Sequence, residues 1–302
     1  MATLKSALTN ILQEYLIRKT LENFEPQLYF YKLGEKPVIP AGYNTIRWAK
    51  FTKLGELAAV TTEGTTESDQ TFIAASVNTV TPTEYIGVIT ITDRLLKDSV
   101  LDWLGGAATA LGDSLARTID KAIQLVIMAG GSVMYPGTRT ARANLVSGDT
   151  LTVGLLIKAA QRLKAWAAPT FDGFYVAVMH PNVAYDLMTS TSAGGWQDIH
   201  KYTTPDNIFK GELGAIGGVR IVECPFVSAV ATNVFPVLVL GKGAYGVGDF
   251  ESLKTYLTPA TASDSDPAVQ RRKVSAKVAF GTAILQGSAM VRIETYSTDV
   301  TA

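Results

Sequence analysis

A chain of 302 residues has room for about two domains and a sizeable core. Lys+Arg and Asp+Glu both number 27, so bulk charge gives no reason to expect a nucleic-acid binder. Charged residues are 18% of the chain, below the usual ~25%, which fits either a well-buried monomer or a surface hidden in subunit contacts. Cys224 is the only cysteine, so no intrachain disulfide forms and a reducing compartment is expected. The first residues carry Glu14, Arg18 and Lys19 within their apolar pattern, which is not the pattern of a secretion signal. No apolar run approaches the ~18 residues of a membrane span.

Leu4, Leu8, Ile11, Leu12, Tyr15 and Leu16 recur at helical spacing and predict an amphipathic N-terminal helix. It is expected either as an arm lying on another molecule or as a helix packed on its own domain. Pro37, Pro40 and Gly42 then break the chain. From Gly42 to Thr92 the sequence is rich in Thr and β-branched residues. Ile46 and Trp48 alternate with polar or small neighbours, as do Ile73, Ala75 and Val77 beyond a turn-rich tip at Thr61–Gln70. This predicts a long two-stranded ribbon. Such a ribbon is marginal in water unless a surface covers it, which points to a second subunit.

Asp93 is a helix N-cap candidate. Leu96, Val100, Leu104, Ala108, Leu111, Leu115, Ile119, Ala122 and Val126 follow at intervals of three and four. The spacing predicts one helix to about Met128, roughly 54 Å long, with a kink at Gly105-Gly106 and a stop at Gly130-Gly131. After a polar loop or short hairpin at Tyr135–Asp149, a second helix is expected from about Thr152 to Trp166. Strands are expected at Phe174–Met179, Val219–Cys224 and Phe235–Leu240, with a short helix after Pro181. Val269–Tyr296 reads as two long strands around Gln286-Gly287. Helices and strands mixed without strict alternation give an α+β class.

Few groups suggest chemistry. Gly241–Gly246 matches G-x-G-x-x-G after an apolar strand, but no helix pattern follows, so a turn between strands is the expectation and a nucleotide-dependent oxidoreductase the remote alternative. The two histidines, His180 and His200, have no metal-ligand spacing and no nucleophile elbow nearby, and His180 is expected to cap backbone at a turn. Asp264 and Asp266 fit a solvated loop better than a cation site. Arg271-Arg272-Lys273 opens the final strands, where it faces solvent, nucleic acid or a neighbour's acidic side chain. No catalytic residue, metal or cofactor is expected.

The boxes His180-Pro-Asn-Val-Ala-Tyr-Asp-Leu187, Trp196, Gly211–Glu223 and Val278–Leu285 resemble those of tailed-bacteriophage major capsid proteins, the coat-protein group with the Hong Kong 97 fold. The order of parts along the chain carries the resemblance more than any one box. It implies an N-terminal arm at 1–41, an extended loop at 42–92 and a peripheral domain with a spine helix at 93–150. An axial domain at 151–260 and peripheral return strands at 261–302 complete the implied plan. It also implies a subunit that self-assembles into hexamers and pentamers of an icosahedral virion shell around double-stranded DNA, built in the host cytoplasm. Implied partners are a portal protein, a scaffold or decoration protein, and packaged DNA through weak non-specific contact, with no membrane. Ile46, Trp48, Phe51, Ile73 and Val77 are the expected intersubunit contacts. An encapsulin-like nanocompartment shell shares the fold and is the nearest alternative; a secreted β-rich adhesin is disfavoured by the long helix.

Overall fold

The computed structural model describes residues 14–22, 28–37, 45–50, 76–98, 101–190, 215–258 and 267–298. Helical residues 14–22 (α1) and one turn at Phe30–Leu33 (α2) precede a ribbon root formed by Ile46–Lys50 (β1) and Ser76–Val80 (β2). Strand β3 (Thr83–Thr92) leads into α3 (Asp93–Asp98) and α4 (Trp103–Ala129), then a short β4 (Ser132–Met134). Next come α5 (Val153–Ala165), β5 (Tyr175–Met179), α6 (Pro181–Thr189), β6 (Ala215–Ile216), β7 (Val219–Glu223) and β8 (Val234–Leu240). The chain ends in β9 (Tyr245–Leu257), β10 (Arg271–Ile284) and β11 (Met290–Tyr296).

Two larger sheets organise these elements. A mixed six-stranded sheet runs β4-β11-β8-β5-β7-β6. Its central strands β5 and β8 are buried at every residue, as continuous apolar runs covered on both faces should be. β5 and β7 are parallel neighbours, so the chain must cross over between them, and α6 lies in that connection. The second sheet has three antiparallel strands, β3-β10-β9. Period-two alternation divides it into two faces. Ile91, Val274, Ala276, Val278 and Phe280 join the core with Leu104, Leu111, Leu115 and Ile119 of α4. Ile86 and Val88 point away and stay 60% and 55% exposed.

The long helix differs from its expected form. It is two helices, because Asp102 starts a new one: its side chain accepts from Gly105 N at 3.0 Å and its carbonyl from Gly106 N at 3.0 Å. The glycines expected to kink the rod therefore form its first turn. Helix α4 has 27 residues, giving a rod of roughly 40 Å. Towards its end the buried stripe runs through Ile123 and Ile127, not Ala122 and Val126. The shift reflects a second buried stripe, Gly112, Ala116, Asp120 and Gln124, on an adjacent face.

That second stripe receives the N-terminal segment. Tyr15 donates its hydroxyl hydrogen to Asp102 Oδ2 at 3.1 Å near the start of α4, and the Asp120 carboxylate meets residues 29–31 further along. The described part of the expected arm thus lies on its own chain; residues 1–13 are outside the described residues.

Strand β9 follows the expected turn, but its length was not read from the sequence. It pairs with β10 from Val274–Leu257 to Ile284–Tyr245, across the boundary drawn from the sequence at 260/261, and β11 joins the six-stranded sheet instead. Sheet membership therefore divides the chain differently from the sequence plan.

Candidate assembly surface

The ribbon root is built into the body. β1 and β2 pair antiparallel with Ile46 opposite Val80 and Trp48 opposite Asn78. Asn78 Nδ2 donates to the carbonyl of Ile284 at 2.7 Å, tying β2 to the end of β10. Two glycines make the seat. A Cβ at Gly246 would lie 2.7 Å from Trp48 Cζ2, and a Cβ at Gly281 would lie 2.4 Å from Val80 Cγ1. Both side chains thus rest on bare backbone of β9 and β10, an approach only glycine permits.

The five expected contact residues separate accordingly. Ile46 is buried within its own chain at 7% exposure. Trp48 is half-buried over Gly246 of the same chain. Val77 is 51% exposed. Phe51 and Ile73 lie outside the described residues. Beside Val77 an open groove of about 490 Å³ runs between β2, the C-terminal part of α4 and the end of β10, with Leu125 on its wall at 60% exposure.

The outward face of the three-stranded sheet adds a second apolar surface. Val88, Ser275 and Tyr256 stand opposite one another across the three strands, as do Ile86, Lys277 and Lys254. Lys277 bridges Glu84 at 3.0 Å and Glu251 at 3.2 Å, and Lys254 reaches Glu251 at 2.8 Å. The result is an exposed apolar pair set beside a ladder of ion pairs.

The groups that once suggested chemistry have structural roles. Gly241–Gly246 lies in a strand–turn–strand between β8 and β9, with no helix N-terminus to hold a pyrophosphate. Its last glycine admits Trp48. His180 is the N-cap of α6: Nδ1 accepts from Asn182 N at 3.2 Å, and the ring stacks on Phe235 at 4.6 Å. Burial lowers its pKa, favouring the neutral ring that this acceptor role needs. Arg272 faces Asp93 of its own chain at 3.9 Å. His200, Asp264 and Asp266 lie outside the described residues.

Two buried acids escaped the sequence reading. Asp120 accepts from the backbone N–H groups of Tyr29 at 2.6 Å, Phe30 at 3.3 Å and Tyr31 at 3.1 Å. Burial raises its pKa, and those three donors and Lys32 act against the rise. Glu294 on β11 takes a bidentate pair from Arg142 at 2.8 and 2.6 Å, with Arg292 at 3.0 Å, and so fixes the 3-10 turn Arg142–Asn144 against the sheet. A carboxylate on the buried side of a helix stripe was the available signal for Asp120. Nothing local marked Glu294 beyond the alternation of its strand.

The family model for the phage capsid protein matches residues 76–293, well over half of the chain. The chain belongs to the phage capsid protein family. The capsid protein has the Hong Kong 97-like fold of solved phage capsids. It is similar to the capsid structure of Cyanophage P-SCSP1u, with a TM-score of 0.68 and 16% identity over 90% of this chain and 89% of that one. The capsid of Ralstonia phage GP4 gives a TM-score of 0.63 and 16% identity, over 89% and 86%. A virus-like particle from Pyrococcus furiosus gives 0.54 and 13%, over 95% and 99%. Among curated proteins none matches. The family match lies with phage capsids, so the compartment-shell alternative is not favoured. Among the described residues no helix is long and apolar enough to cross a membrane.

Proposed function

We propose that this capsid protein assembles with copies of itself into hexamers and pentamers that close as an icosahedral shell around double-stranded DNA. It performs no chemistry of its own. The observation that carries this reading is apolar surface left bare beside a seated ribbon root: Val77, Leu125, Ile86 and Val88 are all more than half exposed. A fold that buries β5 and β8 completely has the means to cover such residues, and contiguous exposed apolar surface marks an interaction site. Closed shells need several different contact surfaces per subunit.

In this reading Val77, Phe51 and Ile73 meet a neighbouring subunit, while Ile46 and Trp48 hold the ribbon to its own body. The six-stranded sheet with α5 and α6 serves as the axial unit, and α4 with the three-stranded sheet as the peripheral one. Assembly takes place in the host cytoplasm, with a portal protein at one vertex and a scaffold or decoration protein assisting. A neutral chain touches the packaged DNA only weakly.

Size-exclusion chromatography and negative-stain microscopy of the purified protein test the reading. Rings or polyhedral particles are expected. Deleting residues 58–72 should leave a folded subunit that forms no regular shell. Regular shells from that deletion would overturn the ribbon's role.

A further inference from the structure

One cleft has a charge that its own fold leaves unanswered. A cavity of about 590 Å³ opens between the outer face of α5 and the segment from β4 to Thr140. Lys158 and Arg162 line it one helical turn apart, both exposed, and Arg139 faces them from the loop. Asp149 meets the charge of Arg139 at 3.0 Å. Lys158 and Arg162 have no ion-pair partner among the described residues, and no described carboxylate lines the cleft. Helix α5 itself holds Lys158, Arg162 and Lys164 and no acid. Arg162 and Lys164 lie in its last turn, where cations complement the helix dipole. Lys158 lies outside that turn, and its place four residues before Arg162 costs like-charge repulsion.

The walls of the cleft are already fixed. At one end of the loop β4 pairs with β11, and at the other the carbonyl of Asp149 accepts from Tyr296 N at 2.9 Å. Between them Arg142 holds Glu294 at 2.8 and 2.6 Å. The Arg162 guanidinium lies over the Trp166 ring at 5.3 Å, a contact that orients the cation without neutralising it. Beside the cations stand the neutral donors of Thr140 and Gln161 and the apolar surface of Val133 and Tyr135. A preformed concavity with apolar walls and a few convergent polar groups is the ordinary form of a small-molecule site.

We propose that this cleft binds a small organic phosphate monoester, its phosphate on Lys158 and Arg162 and its body against Val133 and Tyr135. The two unanswered positive charges match the roughly −1.5 to −2 that such a phosphate carries at neutral pH. The guanidinium fork of Arg162 suits two phosphate oxygens, and the Lys158 ammonium supplies a point charge beside it. The cavity is several times larger than a phosphate group, so a body of nucleoside size has room. Duplex DNA is the poorer match, because it calls for a row of cations along its backbone and the cleft gathers one close pair in a recess. The site belongs to the single subunit and does not rest on the self-assembly reading.

Equilibrium dialysis of the full chain in phosphate-free buffer tests it, with uridine 5′-monophosphate as the probe and uridine as its uncharged counterpart. The monophosphate should be retained at millimolar concentration or below, and uridine should bind about tenfold or more weakly. Lys158→Gln combined with Arg162→Gln should melt like the parent, since both side chains are exposed. It should weaken the monophosphate about tenfold or more, because each change removes a charge-assisted contact. Lys164→Gln is the control: Lys164 is exposed on the same helix, lies beside Gly218 and does not line the cleft, so its loss should leave binding unchanged. No retention of the monophosphate, equal retention of uridine, or an equal loss from Lys164→Gln would each overturn the proposal. So would short duplex DNA that binds and is weakened by the double variant while the monophosphate fails to bind, since the cleft would then take polymer backbone. None of these outcomes depends on whether particles form.

Discussion

The two large sheets of this capsid protein are completed by different means. The six-stranded sheet is finished within the chain: β5 and β8 have no exposed residue. The three-stranded sheet is finished on one side only. Helix α4 covers its inner face, while Ile86 and Val88 face outward with no covering from the described residues. A sheet sealed by its own helices gives the subunit its stability. A sheet left half-open leaves apolar surface that the self-assembly reading assigns to a neighbouring subunit, so on that reading stability and assembly fall on different residues and can be broken separately.

The sharpest break is a matched set of three substitutions. Val239→Lys places a charge at a site with 0% exposure in the sealed sheet and should abolish soluble folded protein, a cost above about 4 kcal/mol. Leu111→Asp, on the inner face beneath the open sheet at 4% exposure, should do the same. Val88→Lys, in the open sheet, should shift unfolding by no more than about 0.5 kcal/mol while blocking particle formation. Circular dichroism melts and negative-stain images read both arms; a strongly destabilised Val88→Lys would show that the outward face is closed after all.

Gly246→Val should act on the join between ribbon and body. Its Cβ would fall 2.7 Å from Trp48 Cζ2, so the indole must leave its seat at a cost of about 1–3 kcal/mol. Red-shifted tryptophan emission, absent when Trp48→Phe is added, checks this. The smallest effect concerns Asp120. Its pKa is raised in the fold, so the native state holds the proton more tightly than the unfolded chain does. Its contribution is therefore greatest below the ordinary carboxylate range and declines as pH rises through the native pKa. Urea unfolding of the parent should show that decline as pH rises above the ordinary carboxylate range, and Asp120→Asn should flatten it.

Much of this was legible in the sequence, and the exceptions share a cause. β5 and β8 are apolar runs between turn residues, β7 alternates, and Thr152 caps α5 through its side chain as its residue type suggests. His180 capping α6 was also local information. The break before Trp103 was hidden because Asp98 and Asp102 both fit the polar face of a continuous helix. The length of β9 was hidden because Gly246, Gly248 and the charges from Asp249 to Lys254 blur its alternation. The surface itself was read as a protruding ribbon, yet which of its residues belong to the body depends on Gly246 and Gly281, some two hundred positions away. Residue spacing carries no sign of such encounters.

The clasp on the N-terminal segment sets a timetable for a chain emerging from the ribosome. Phe30 accepts a hydrogen bond from the Tyr245 hydroxyl at 2.5 Å, and Glu35 exchanges backbone hydrogen bonds with Tyr245 and Val247. Those partners are translated roughly 10–40 s after Glu35. Until then the leading segment has α4 to lie on but lacks its β9 partners, and the Gly246 seat for Trp48 does not exist. A nascent subunit thus completes the clasp on its N-terminal segment only when synthesis is nearly over.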